Sequence, residues 1–151
     1  MNVAAILKVK GQRVITTASD TSLLDVTKQL RMHGIGCIVI TCSDGKVIGI
    51  VSERDIVRQI ARAGSKVLKE PVEAYMTKAV VTCRGSDTID RLMAEMTAHR
   101  FRHMPVVEKG RLIGLVSIGD VVKMNITTAE MEMASLRAYI TTSMASDRHD
   151  L

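Results

Sequence analysis

The sequence predicts a mixed α/β fold of the α+β kind: two copies of a β-α-β-β-α unit, followed by a C-terminal helix. Three observations predict it. Residues Val14–Ile56 align with Val80–Val121, and the offset changes only once along the way, in a turn. Each copy shows the same order of strand, cap, helix and hairpin signals. After Asn125 the pattern changes, and Ala129, Met133, Leu136, Ile140 and Met144 recur at helical spacing.

Each copy opens on a short strand, Val14–Thr16 or Val80–Thr82. A Ser-Asp-Thr segment follows in both, Ser19-Asp20-Thr21 and Ser86-Asp87-Thr88. These residue types start helices, because their side-chain oxygens accept from the unpaired amides of the first turn. Leu23, Val26 and Leu30, and in the second copy Ile89, Leu92 and Met96, then form one apolar stripe. Gly34 suits the left-handed residue that ends a helix. Two strands come next, Cys37–Thr41 and Lys46–Val51, turned by Asp44-Gly45; Met104–Val107 and Arg111–Val116 repeat them across Glu108-Lys109-Gly110. The last strand of each copy runs directly into a helix beginning at Ser52 or Ser117.

The resulting organisation is a first repeat over residues 1–65, a second over 66–125 and a helical tail over 126–151. Val3–Leu7 reads as the first repeat's own lead-in segment. Gly64–Pro71 reads as the linker, with Pro71 opening a short helix that carries Val72, Tyr75 and Met76. Thr127 and Glu130 stand at capping-box spacing, and the tail helix is expected to pack on its own body or on a second subunit.

Composition bounds the function. Hydrophobic residues make up 46% of the chain, but there is one Phe, two Tyr and no Trp, so the core is aliphatic with ten Met as filler. A net charge of +5 suits an anionic partner without saying which. Cys37, Cys42 and Cys83 are odd in number and lack Cys-x-x-Cys spacing, which points to reduced thiols and a cytoplasmic setting rather than a disulfide framework or zinc site. No stretch approaches the roughly 20 apolar residues of a membrane span. Neither a Walker-type loop nor a HExxH or GxSxG pattern appears, so no catalytic or metal-ligating residue is assigned and the chain reads as a non-enzyme.

The informative motifs are Gly49–Val57 (GIVSERDIV) and Gly114–Val122 (GLVSIGDVV). A strand ending in Ser at a helix N-terminus leaves free amides and a favourable dipole for a phosphate. An Asp three residues on can accept from both vicinal hydroxyls of a ribose. Ser-x-x-Asp is also capping-box spacing, and a single copy would read simply as a cap. Two copies in the same register favour a site.

With the run His99–Gly114 (HRFRHMPVVEKGRLIG), these motifs resemble the CBS domain family, named after cystathionine β-synthase. The resemblance covers about residues 3–125, and the tail is similar to that of small stand-alone bacterial tandem CBS proteins. It implies two repeats packed through their sheets about a pseudo-twofold axis, with two clefts that each draw on both repeats. Carried over, cleft one combines Ser52, Arg54 and Asp55 with Thr77, Lys78, Ala79 and Val80 and with Phe101, Arg102, His103, Met104 and Pro105. Cleft two combines Ser117, Ile118 and Asp120 with Gly11, Gln12, Arg13 and Val14 and with Ile35, Gly36 and Cys37. The first copy departs from the family at Val39, where the second has Pro105.

Cleft one holds the cations, so phosphates of AMP, ADP or ATP are expected there; cleft two is expected to take a nucleoside end, a dinucleotide such as NAD(H), or nothing. His33 and His99, at helix C-termini, read as complements to the helix dipole rather than ligands. The resemblance further implies a homodimer and an unidentified client protein that reads the nucleotide. Nucleic-acid binding is the runner-up, allowed by charge but short of base-stacking aromatics. A ligand-free interaction module is the third reading.

Overall fold

The computed structural model describes residues 1–149, and side chains as far as residue 146. Among them are α1 (Val3–Lys10), β1 (Thr16–Thr17), α2 (Leu23–His33), β2 (Cys37–Thr41), β3 (Val47–Ser52), α3 (Glu53–Ala63), 3-10 turns at Ser65–Lys69 and Val72–Ala74, α4 (Ile89–His99), β4 (His103–Glu108), β5 (Arg111–Ser117) and α5 (Ile118–His149). The architecture is mixed α+β, with the expected C-terminal helix.

Local chemistry accounts for the element ends. Ser22 and Thr88, each one residue before its helix, accept the amides of Asp25 and Arg91. Of the two Ser-Asp-Thr segments, only the second thus supplies the cap itself; in the first copy the cap falls one residue later. Gly34 closes α2 in the left-handed region, at φ 62°. Its counterpart closing α4 is Arg100, at φ 58°, where a side chain is strained.

The three-stranded sheet runs β1-β2-β3, with β1 parallel to β2 and β2 antiparallel to β3. The second sheet contains β4 and β5 alone. The expected strand Val80–Thr82 does not form. Only Cys83 bridges to Val106, exchanging backbone bonds with Pro105 and Val107. In the first copy the strand falls at Thr16–Thr17 rather than Val14–Thr16.

Each repeat has its own core, completed by the other repeat's lead-in segment. Val3, Ile6 and Leu7 of α1 lie buried with Ile89, Leu92, Met96, Met104, Val106 and Val116. Val67 and Val72 lie buried with Leu23, Val26, Ile38, Ile40 and Val51. Val3–Leu7 is therefore not the first repeat's own lead-in, and Gly64–Pro71 is no free linker. Two fully buried apolar side chains, Val67 and Val72, anchor the connection into the first core, each favoured by about 1.5–3 kcal/mol over exposure.

The correspondence extends to single hydrogen bonds. The amide of Val3 donates to Asp87 O at 2.9 Å, and that of Val72 to Thr21 O at 2.8 Å. Ala4 donates to Gly85 O where Glu73 donates to Ser19 O. The repeated glycines follow the same logic. A Cβ on Gly114 would lie 2.6 Å from Leu7 Cδ2, and one on Gly49 would lie 2.2 Å from Met76 Sδ. These glycines exist so that the exchanged segments can lie flat on β5 and β3.

The tail is one helix with the segment after Ser117, unbroken at Asn125, so Thr127 and Glu130 do not open a helix. Every side chain from Ala129 to Ser146 is exposed, and the expectation that this stretch packs on its own body is not met. Among the described residues no helix is long and apolar enough to cross a membrane.

Candidate nucleotide-binding cleft

The strand-to-helix junctions place the chemistry. Ser52 caps α3: its hydroxyl accepts from Asp55 N at 3.2 Å, while Asp55 Oδ2 accepts from Ser52 N at 2.9 Å. Ser117 and Asp120 repeat this box at the same distances. Both aspartates are thus helix caps, as the spacing alone allows. The two then part company. Asp55 Oδ1 has no partner among the described residues, whereas Asp120 Oδ2 also takes Lys10 Nζ at 2.6 Å. Lys10 donates further to Leu115 O at 2.8 Å.

Burial works against ionisation of Asp120, but the Lys10 ammonium and the Ser117 amide and hydroxyl outweigh it and hold its carboxyl below the usual carboxylate range. Cleft two therefore has its acid already neutralised by a residue that sequence reasoning missed. Nothing local marks Lys10, since the pairing spans 110 positions.

On the Asp55 side a cavity of about 400 Å³ opens between the repeats. The first repeat contributes Ile50, Ser52, Glu53, Arg54, Asp55 and Arg58; the second faces it with Thr77, Ala79, Val80 and Val81 and with His99 to His103. Thr77 is pinned by exchanging both backbone bonds with Ile50, at 2.9 and 3.1 Å. Of the residues expected in cleft one, the structure brings together Ser52, Arg54, Asp55, Thr77, Ala79, Val80, Phe101, Arg102 and His103.

Three expected residues fall outside the lining. The chain bends at Lys78, which stays exposed. Met104 is 1% exposed and packs in the second core. Pro105 is buried in β4, its carbonyl held by Cys83 N at 3.0 Å.

Gly36 and Cys37, assigned to cleft two, line this cavity instead. The register explains it: Cys37 stands opposite Ser52 across β2 and β3, as His103 stands opposite Ser117 across β4 and β5. A Cβ on Gly36 would come within 4.0 Å of His103 Cε1, so the repeats nearly touch at this point. Ile35 packs against the first core. Gly11 ends α1, Gln12 and Arg13 are exposed, Val14 is half-buried and Ile118 is 37% exposed.

Both repeats bring cations and apolar surface to the cavity. Arg54, Arg58, Arg100 and Arg102 supply guanidiniums, while Ile50, Val80, Val81 and Phe101 supply apolar surface. His99 stacks on Phe101 with centroids 6.1 Å apart, so it belongs to the lining and not only to the end of α4. Burial lowers the His103 pKa, and the Lys10 and Arg102 charges reinforce it against the acids. Burial pushes the Cys37 thiol up to about 12, with Asp55 adding to it, so no reactive thiolate faces the cleft. Among the described residues no cluster could hold a metal ion.

A strand-to-helix junction present in two copies, with a cleft shared between them, marks a tandem-repeat protein. The CBS domain family matches residues 9–62 and 72–125, and the chain belongs to it. A CBS-domain containing protein from Agrobacterium tumefaciens superposes with a TM-score of 0.81 at 46% identity, covering 83% of this chain and 99% of that one. A CBS domain pair solved with 5′-methylthioadenosine and S-adenosyl-L-methionine gives 0.75 at 26% identity, over 85% and 98% of the two chains. A CBS domain protein from Pyrobaculum aerophilum complexed with AMP gives 0.71 at 26%, over 80% and 89%. One relative that contains such a segment, from Methanocaldococcus jannaschii, is named an L-aspartate semialdehyde sulfurtransferase; it is 29% identical over 108 residues, and this chain covers 20% of it.

Proposed function

We propose that this protein is a regulatory module, without catalytic activity of its own, that binds an adenine nucleotide in the cleft at Asp55. One observation carries the reading: a carboxylate with a free oxygen, at a helix N-terminus, shares a 400 Å³ cavity made by both repeats with four arginines, Arg54 and Arg58 on its own helix and Arg100 and Arg102 on the facing repeat. Asp55 Oδ1 accepts from the ribose hydroxyls, the arginines hold the phosphates, and Ile50, Val80, Val81 and Phe101 shelter the base. Arginine suits phosphate because its planar fork donates two parallel hydrogen bonds. The ligands of two similar structures, AMP in one and 5′-methylthioadenosine with S-adenosyl-L-methionine in the other, share the adenosine end and support this choice.

AMP, ADP, ATP and NAD(H) all present that end, and the arginines favour the nucleotides over uncharged nucleosides. A ligand gripping both repeats fixes their relative angle and stabilises that state by its differential affinity. The readout passes through a second subunit or a client protein, in a cytoplasmic setting.

Calorimetric titration of AMP into the parent protein and into Asp55→Ala, Arg102→Ala and Asp120→Ala tests the reading. Losing one hydrogen bond to a charged group costs about 1.5–3 kcal/mol, so Asp55→Ala and Arg102→Ala should each weaken binding by about tenfold or more. Asp120→Ala should change it less than about threefold. Equal losses at Asp55 and Asp120 would remove the asymmetry between the clefts, and an absence of any heat or thermal shift with adenine nucleotides would remove the function.

A further inference from the structure

We propose that the hairpin end of the second repeat is a separate anion site, which takes a small phosphate-bearing ligand. Arg84, Arg91 and Lys109 line a depression of about 370 Å³ there, together with Thr82, Asp87 and Val107. It shares no lining residue with the nucleotide cleft. The length of the β4–β5 hairpin separates the two. His103 pairs with Ser117 at the cleft end and Glu108 with Arg111 at the other, about 17 Å away at the rise of a strand.

The fold does not demand these cations. The first repeat builds the same corner with Ala18, Asp25 and Asp44 in the places of Arg84, Arg91 and Lys109. Lys109 is also held in strain. A two-residue turn joins β4 to β5, with φ at 51° for Lys109 and 77° for Gly110. Such a turn favours Asn or Asp before its glycine, and the first repeat has Asp44-Gly45 at the corresponding place. Strain of this kind persists where function holds it.

The nearby acids are already engaged. Asp87 Oδ1 accepts from Arg91 Nη1 at 2.5 Å and its Oδ2 from the Arg84 amide at 2.7 Å, while Glu108 Oε1 accepts from the Gly85 amide at 3.0 Å. The Arg84 guanidinium and the Lys109 ammonium have no acidic partner among the described residues. Three cations against the one Asp leave two positive charges in the lining, which a phosphoryl dianion neutralises and a single carboxylate does not. Planar guanidinium forks and a lysine point charge are the donors that phosphoryl oxygens take.

Residue-resolved amide NMR of the full chain tests the proposal at constant ionic strength, with inorganic pyrophosphate and glycerol phosphate as probes. The amides of Gly85 and Gly110 should shift saturably with at least one probe, and the tighter one tells a free phosphate from a phosphate ester. Arg84→Gln and Lys109→Gly should each weaken that titration about threefold or more. Lys66→Gln, which removes the same charge outside this lining, should change it less than about twofold. Absent or unsaturable shifts at Gly85 and Gly110 with both probes overturn the proposal. Equal weakening in all three variants also overturns it, since diffuse charge would then hold the anion. Both amides lie outside the nucleotide cleft, so this result and the fate of the AMP reading are told apart.

Discussion

Arg100 sits where its counterpart in the other repeat is Gly34, and both hold φ near 60°. A non-glycine residue there costs about 1–2 kcal/mol, a strain retained at a residue that lines the cleft. Replacing it by glycine relieves the strain but adds chain entropy on unfolding. Arg100→Gly is therefore expected to gain up to about 1 kcal/mol in denaturant unfolding while its AMP titration weakens; loss on both counts would show that the side chain supports the fold. His103 gives a pH signature. Its folded pKa lies below the ordinary value, so it is uncharged at neutral pH, and the unfolded chain takes the proton first as pH falls. Stability from this group is present above about pH 6.5 and lost as pH falls below it. A bound phosphate supplies an anion that raises the pKa again. Titrations near pH 6.5 in buffers of different ionisation enthalpy should show protons taken up with AMP, and His103→Gln should reduce that uptake.

At the scale of elements, the glycines of the two motifs predict unequal costs. A Cβ at Gly114 meets the branched end of Leu7, buried in the core, while one at Gly49 meets the sulfur of the more flexible Met76. Gly114→Ala should destabilise by about 1–3 kcal/mol in urea unfolding and Gly49→Ala by less; the reverse order would mean that the clash with Leu7 does not set the cost. Helices and hairpins were legible because periodicity and turn chemistry are local: the β2 bounds Cys37–Thr41 match the sequence expectation, and the β4 and β5 bounds differ by one residue at each altered end. Val80–Thr82 failed as a strand for a non-local reason, since only Cys83 finds a partner at the sheet edge. The cleft was legible in the same measure. Ser52 and Asp55 carry a motif, but Arg58, Arg100 and Val81 join the lining only through the docking of the repeats, and Lys10 reaches Asp120 across most of the chain.

For the whole molecule, neither half closes its core alone. Val67 and Val72 lie beyond residue 65 yet complete the first core, and α1 completes the second. The boundary drawn at 65/66 by repeat spacing does not separate two self-sufficient units. Full-length protein should thus unfold in a single transition seen identically by circular dichroism and by a label at Cys42, the half-exposed thiol. A fragment ending at residue 65 should show no cooperative melt; a cooperative melt there would mean that Val67 and Val72 are dispensable.

The exchanged segments also set an order on biosynthesis. Helix α1 leaves the ribosome before the surface it docks on, which runs from Cys83 to Val121. At about 5–20 residues per second it waits several seconds with its apolar stripe uncovered. A ribosome that stalls between the two would release a nascent chain in which α1 has nowhere to go.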